Sequence, residues 1–518
     1  MKQIFSKFWL SDNNNAAEKS FSCQKLSLVI ILIFVFLFSF GLWQLRLDFY
    51  SLWYDEANTV LLLQNKSVGE AFDSILATSG SETLHPLYYM VLSRWMQVAG
   101  NSERTLRFPS VIFGSCAVVI FLLLLYQTGG KRALPFGFLL VVCPFLMWYS
   151  RDARPYALVM FLTGLHLLCY LKLLAKPKSK KLLVGFIVTG VLSIYAGIFI
   201  GMILAAEFFW SFFVRRKTSE TVAILSIMVL VCPLVWHGLQ THFVKSSDRY
   251  SELPKGMNVV RTLAIPQEFL VGRSLGPTPD EVRRLPLREI VRNKPFALAG
   301  EALVIMSIVI AFLVSFRTLN RRAVLHQSKN LPVQTLIFIT ITCIVELIVL
   351  VLFTGYRINA RHLSFLFGPI FVLSVLPIAY SNKRLPKVAF VLPLLLLWGW
   401  SCTNQIFDSS YMTEDYRNAA KIIKSDTYNS SQILGLCHSQ VLQYYGIDNP
   451  FIYFREASTV TCDSLITYLR RKDNPSWVVL SRPWNYPNLH VEEMEQHFQI
   501  LRTKHLSGIR MWLLTLPD

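Results

Sequence analysis

LSLVIILIFVFLFSFGLWQL, Leu26 to Leu45, runs for 20 residues without a charged side chain. At 1.5 Å per residue a helix of that length covers about 30 Å, the thickness of the hydrocarbon layer of a bilayer. Lys19 and Lys25 precede it, but it is too long for an ordinary signal-peptide core and lacks a small-residue cleavage site, so it reads as a retained anchor. Further apolar runs follow at about Leu106–Tyr126, Ala133–Tyr149, Pro155–Leu174, Leu182–Ala196, Gly197–Val214, Val222–His237, Phe296–Phe316, Val333–Phe353, His362–Tyr380 and Val388–Cys402. The expectation is an α-helical polytopic membrane protein with about eleven spans.

Composition agrees: 53% of the 518 residues are hydrophobic and 16% charged, against roughly 25% charged in a soluble domain. A soluble globular enzyme is excluded. Lys plus Arg number 51 and Asp plus Glu 32, a net +19, yet the basic residues stand in short runs between apolar stretches, which is membrane topology and not a nucleic-acid footprint. With the N-terminus in the cytoplasm, the inner connections hold Lys131-Arg132, then Lys176, Lys178, Lys180 and Lys181, then Arg215-Arg216-Lys217, then Arg317, Arg321 and Arg322, then Lys383-Arg384. Every one is basic, as the positive-inside rule requires. The expected organisation is a cytoplasmic tail over 1–25, a transmembrane domain over 26–402 with outer loops 46–105 and 239–295, and an extracytoplasmic domain over 403–518.

The nine cysteines show no metal-ligand spacing. Seven sit in or beside apolar runs as small packing residues, and Cys437 with Cys462 could form a disulfide on an oxidising side of the membrane.

On the outer face, Asp55-Glu56 follows the aromatic group Tyr50, Trp53 and Tyr54. Carboxylates beside apolar rings can have their pKa values pushed apart and so suit general-base work, while the plain alternative is that they favour the start of the following helix through its dipole. Arg151, Asp152, Arg154, Pro155 and Tyr156 stand before a span running inward, whose N-terminus therefore points outward: a place for a phosphate, or for lipid headgroups. Arg357, Arg361 and His362 occupy the same position before another inward span. Glu82 and His85 could present atoms to one divalent metal if the turn between them is helical, but two ligands are too few to define a site. The segment from Leu239 to Pro295, rich in arginine and acids, reads as a lid or acceptor-binding loop. Glu207 and Glu346, inside spans, should face the bundle interior.

Beyond Cys402, Thr413 can cap a helix over 414–424, and short strands (432–436, 451–454, 477–480, 500–504 and 509–516) alternate with helices at 439–445, 463–471 and 491–498. This predicts a small α/β domain without a phosphate loop or nucleophile elbow.

Taken in order, Leu52-Trp53-Tyr54-Asp55-Glu56-Ala57, His85-Pro86-Leu87-Tyr88-Tyr89, Arg104 to Arg107-Phe108-Pro109-Ser110, Tyr149-Ser150-Arg151-Asp152-Ala153-Arg154-Pro155-Tyr156, and Ala360-Arg361-His362-Leu363 resemble the GT-C membrane glycosyltransferases. More narrowly, they are similar to the bacterial branch related to protein O-mannosyltransferases and lipid A aminoarabinose transferase, of the glycosyltransferase family 39 type. Glu414-Asp415-Tyr416-Arg417 and the tail are similar to the C-terminal region of many bacterial members. The resemblance implies transfer of a sugar from a polyprenyl-phosphate-linked donor to a lipid, glycan or protein acceptor outside the cytoplasmic (inner) membrane. It implies Asp55 as general base, Glu56 as the second acid of the pair, and Arg151, Arg154 and Arg361 on the departing phosphate, with Asp152, Tyr156 and His362 lining the site. Some relatives draw a metal ligand from the region of Glu82 and His85. Partners would be the donor, the acceptor and membrane lipids, and no nucleic acid. A flippase or transporter of a lipid-linked anionic sugar, or a non-catalytic membrane scaffold, are the competing classes. A transporter would show paired Gly- or Pro-interrupted repeats, and the sequence has none.

Overall fold

The computed structural model describes residues 15–78, 81–238, 240–241, 265–278, 281, 287–318, 330–354, 358–426, 433–436, 440–447, 451–453, 475–481 and 496–515. Cys437, Cys462, Arg357 and the tail helix expected over 463–471 lie outside them, as does most of the one expected over 491–498. The chain enters as α1 (Asn15–Trp43), whose Leu26–Trp43 part is the first span. The loop after it holds α2 (Tyr54–Leu63), α3 (Val68–Ala77), a 3-10 turn at Ser81–Leu84 and α4 (Pro86–Ala99). Pro86 opens α4 at a position whose N–H would go unpaired in any case.

The bundle continues with α5 (Glu103–Ala133), α6 (Pro144–Ser150), α7 (Tyr156–Ala175), α8 (Lys180–Ala196), α9 (Gly201–Phe209, prolonged by a π-turn to Arg215) and α10 (Thr218–Gly238). After a short α11 (Leu287–Asn293) come α12 (Pro295–Thr318), α13 (Leu331–Thr354), α14 (Ser364–Tyr380) and α15 (Arg384–Phe407). Among the described residues nine helical stretches are long and apolar enough to span a membrane, not eleven. The run at 133–149 is a 3-10 stretch (Leu134–Val142) and then the short α6, because Pro135 and Pro144 each remove a backbone donor and restart the helix. α8 is an apolar helix of 17 residues.

The two ends of the bundle differ. At one, Tyr380 donates to Gly129 O (3.1 Å) and Asn330 to Thr128 O (3.4 Å), beside Lys131, Arg132, Lys383 and Arg384. The first loop and the N-termini of α5, α7 and α14 meet at the other. Within the span region the expected inward acid is present: Glu207 is fully buried against His166 (3.1 Å), whose other ring nitrogen lies 3.3 Å from Thr189. Glu346 is half-buried.

The C-terminal part opens with α16 (Tyr416–Lys424), capped by Asp415, whose carboxylate accepts from Asn418 N (3.2 Å), and not by Thr413. It continues with β1 (Ile433–Leu436), α17 (Gln440–Tyr444), β2 (Phe451–Tyr453), β3 (Ser476–Ser481), β4 (Gln499–Leu506) and β5 (Ile509–Thr515). The sheet order is β2-β1-β3-β5-β4, parallel through the first three and antiparallel thereafter. Gly508, at φ 63°, makes the β4–β5 turn against Thr413 O, where a Cβ would sit 2.1 Å away. Only glycine fits there.

Candidate active site

Asp55 and Glu56 adjoin in sequence and part in space. Glu56, at the third position of α2, is fully buried. Its oxygens accept from Arg107 Nε (2.8 Å) and Nη2 (2.6 Å), Ala153 N (2.8 Å) and Trp53 N (3.4 Å). Arg107 spends its remaining donors on the carbonyls of Leu47, Tyr50 and Ser51 at 2.8 to 3.1 Å. A guanidinium has five N–H groups, and all are used here. Glu56, expected as a second catalytic acid, is thus saturated by hydrogen bonds and anchors the loop.

Asp55 points the other way, with a side chain 21% exposed, and accepts from Arg361 Nη1 at 3.1 Å across 306 positions of sequence. Arg361 sits in the 3-10 turn Ala360–Leu363 that leads into α14 and lies 5.8 Å from the Trp53 ring. Trp53 in turn donates its indole N–H to Asp152 Oδ1 (3.0 Å). Burial first, then the charge of Glu56, raise the Asp152 carboxyl to about 8 in spite of Trp53 and the neighbouring arginines. Asp152 therefore reads as a largely protonated orienter of Trp53 at neutral pH.

The arginines divide. Arg154 is buried and donates to Asp55 O (3.3 Å), Thr59 Oγ1 (3.1 Å) and Glu82 Oε1 (3.0 Å). Burial opposes its charge, and Tyr89, Tyr156, Asp55 and Glu82 more than compensate. Arg151, expected on a phosphate, donates instead to the carbonyls of Trp43, Leu45 and Arg46 at 2.7 to 3.0 Å, closing the C-terminus of α1. Burial and then Arg107 lower its pKa to about 10.

Glu82 and His85 each have another partner. The Glu82 carboxylate faces the Arg154 guanidinium, a cation where a metal would need a free acid. The buried His85 directs Nδ1 at Ala196 O (2.7 Å). Among the described residues no three His, Cys, Asp or Glu side chains gather as a metal set. These two residues as placed do not fit a divalent ion.

A narrow cleft is lined by His85, Tyr156, Phe199, Arg361 and His362, among others. His362 stacks on Phe199 (5.6 Å between centroids) and accepts from Asn359 N (3.3 Å). Beside it stands a group the motifs did not single out. Arg273 pairs with Glu268 (3.0 Å) and lies 5.8 Å from the Tyr149 ring, whose hydroxyl donates to the same carboxylate (3.3 Å). Arg273 is within electrostatic reach of Arg361. In the segment read as a lid or acceptor-binding loop, Trp398 donates to Leu270 O, Ser401 to Val271 O (2.9 Å), Asn404 to Ser274 O (2.8 Å) and Tyr411 to Gly276 O (3.0 Å). Residues 270–276 are docked on α15 and its end.

The long apolar helices define an integral, multi-pass membrane protein, and its fold is of the GT-C type. The archaeal oligosaccharyltransferase AglB from Archaeoglobus fulgidus, in complex with an inhibitory peptide and a dolichol-phosphate, shares that fold at a TM-score of 0.51 and 14% identity, over 94% of this chain and 74% of that one. ArnT from Cupriavidus metallidurans, bound to undecaprenyl phosphate, aligns at a TM-score of 0.47 and 13% identity over 95% and 98%. No family model and no curated protein matches the sequence.

Proposed function

We propose that the chain is a membrane glycosyltransferase that moves a sugar from a polyprenyl-phosphate donor to an acceptor hydroxyl, with Asp55 as general base. The observation that carries this reading is the Asp55–Arg361 pair at 3.1 Å, beside the cleft. A carboxylate that can take a proton beside a cation that can hold a phosphate is what a displacement at an anomeric carbon needs. Likeness of fold to AglB, complexed with a dolichol-phosphate, supports the donor class.

In this mechanism the donor phosphate enters beside Arg361, with Arg273 as the second cation, and draws the guanidinium partly off Asp55. The freed carboxylate takes the proton of the acceptor hydroxyl. The acceptor oxygen attacks the anomeric carbon, the bond from that carbon to the phosphate oxygen breaks, and its electron pair stays on the phosphate. Charge grows there as the bond breaks, so a preorganised guanidinium stabilises the transition state more than the ground state. Arg154 holds the backbone of Asp55 and Asp152 holds Trp53 under Arg361. Positive-inside counting supports placing the site and the C-terminal domain on the extracytoplasmic side of the cytoplasmic membrane. The reading is tested by an assay of the purified protein in nanodiscs with a panel of labelled polyprenyl-phosphate sugars and membrane extract as acceptor, the label being followed into lipid, glycan and protein fractions. Transfer by the wild type supports the reading, and no transfer with any donor refutes it.

A further inference from the structure

The loop that carries Asp55 is held on one side by Arg107 and on the other by the C-terminal domain. Leu52 N donates to Tyr445 Oη (2.8 Å), and the same hydroxyl donates to Glu103 Oε1. Arg417 of α16 pairs with Glu103 through Nε (3.1 Å) and Nη2. Nη2 also reaches the carbonyls of Asp48 (2.6 Å) and Tyr50 (3.3 Å). Ser51 Oγ donates to Glu414 O (2.6 Å), and Tyr444 Oη to Asn101 O (2.7 Å). α17, which ends beside Tyr445, packs on α2, whose first turn bears Asp55. The carbonyls of Asp48 and Tyr50 and the N–H of Leu52 thus meet residues 350 or more positions later, in addition to the bonds from Arg107 to Tyr50 and Ser51, and three residues beyond Leu52 stands the proposed base.

We infer that Tyr445, Arg417 and Glu103 form a latch through which the C-terminal domain positions Asp55 for proton transfer. The inference rests on the glycosyltransferase reading for the word proton transfer, and on these contacts for the latch itself. Tyr445 and Arg417 are positioning residues, because neither touches the cleft. A hydroxyl that accepts one hydrogen bond and donates another sets the height of Leu52, and a base displaced by a fraction of an ångström loses alignment before it loses basicity. Loosening the latch should therefore slow turnover and leave donor binding to Arg361 and Arg273 unchanged.

The test uses the full chain in nanodiscs, comparing wild type, Tyr445→Phe, Arg417→Ala and Glu103→Gln. The expected result for Tyr445→Phe is a kcat lower by about tenfold, the equivalent of one hydrogen bond, with the KM for the donor unchanged. Amides 48–53 should exchange with deuterium faster than in the wild type. Glu103→Gln, which keeps an acceptor for both partners, should lose less than Arg417→Ala. Faster exchange with unchanged kcat would overturn the positioning role, as would a raised KM at constant kcat. Unchanged exchange would overturn the latch. If the wild type transfers no sugar, the transferase reading fails, and the exchange arm still decides whether the latch holds the loop.

Discussion

At Asp55 and Glu56 one peptide bond separates two fates. Four hydrogen bonds from Arg107, Ala153 and Trp53 saturate Glu56, while Asp55 accepts from Arg361, a residue that lines the cleft. Replacing Arg107 by Met would leave an unpaired buried carboxylate, at a cost of about 3 to 5 kcal/mol. Thermal unfolding in detergent should show a lowered Tm, and an unchanged Tm would contradict the anchoring role. Asp152 predicts a pH dependence. Its folded value near 8 exceeds the ordinary carboxyl value, so the folded protein keeps a proton that the unfolded chain releases near pH 4. The contribution to stability is complete below that pH and is lost as pH rises through 8. Between pH 6 and 9 the wild type should lose more Tm than Asp152→Asn, and parallel losses would refute the assignment. The sequence marked the acidic pair as chemically interesting but could not divide it, because the partner that claims Glu56 lies 51 positions away.

Elements explain the misplaced arginines. A helix leaves its last carbonyls without partners, and Arg151 satisfies three groups at the end of α1 that local sequence does not reveal. Arg151→Ala should cost about 2 kcal/mol of stability with donor affinity intact; a selective loss of donor binding would return Arg151 to the phosphate. Arg361→Ala should raise the donor KM at least tenfold, while Arg361→Lys retains part of the affinity as a point charge without the planar fork. The spans were legible because 3.6-residue helices crossing about 30 Å leave long apolar runs. The run at 133–149 was not, because hydropathy does not register the breaks at Pro135 and Pro144. Arg273 was lost among the charges of the long segment, since only docking on α15 brings it to Tyr149.

At the scale of the described bundle, Lys131, Arg132, Lys383 and Arg384 lie at one end and Trp53, Asp55, Arg154 and Arg361 gather at the other. Among the described residues of the C-terminal domain, the five strands and the helices α16 and α17 were readable from local alternation, whereas the domain's attachment through Tyr445 and Arg417 to the first loop was not. A cysteine at the exposed Ser410, beyond α15, should react with a membrane-impermeant maleimide added to intact spheroplasts; protection until lysis would reverse the proposed orientation. The central claim is met most directly by single-turnover transfer from a labelled polyprenyl-phosphate sugar by wild type and a folded Asp55→Asn variant. The account predicts transfer by the wild type and a rate at least about 100-fold lower in the variant, with donor binding retained. Equal rates in the two proteins would contradict it.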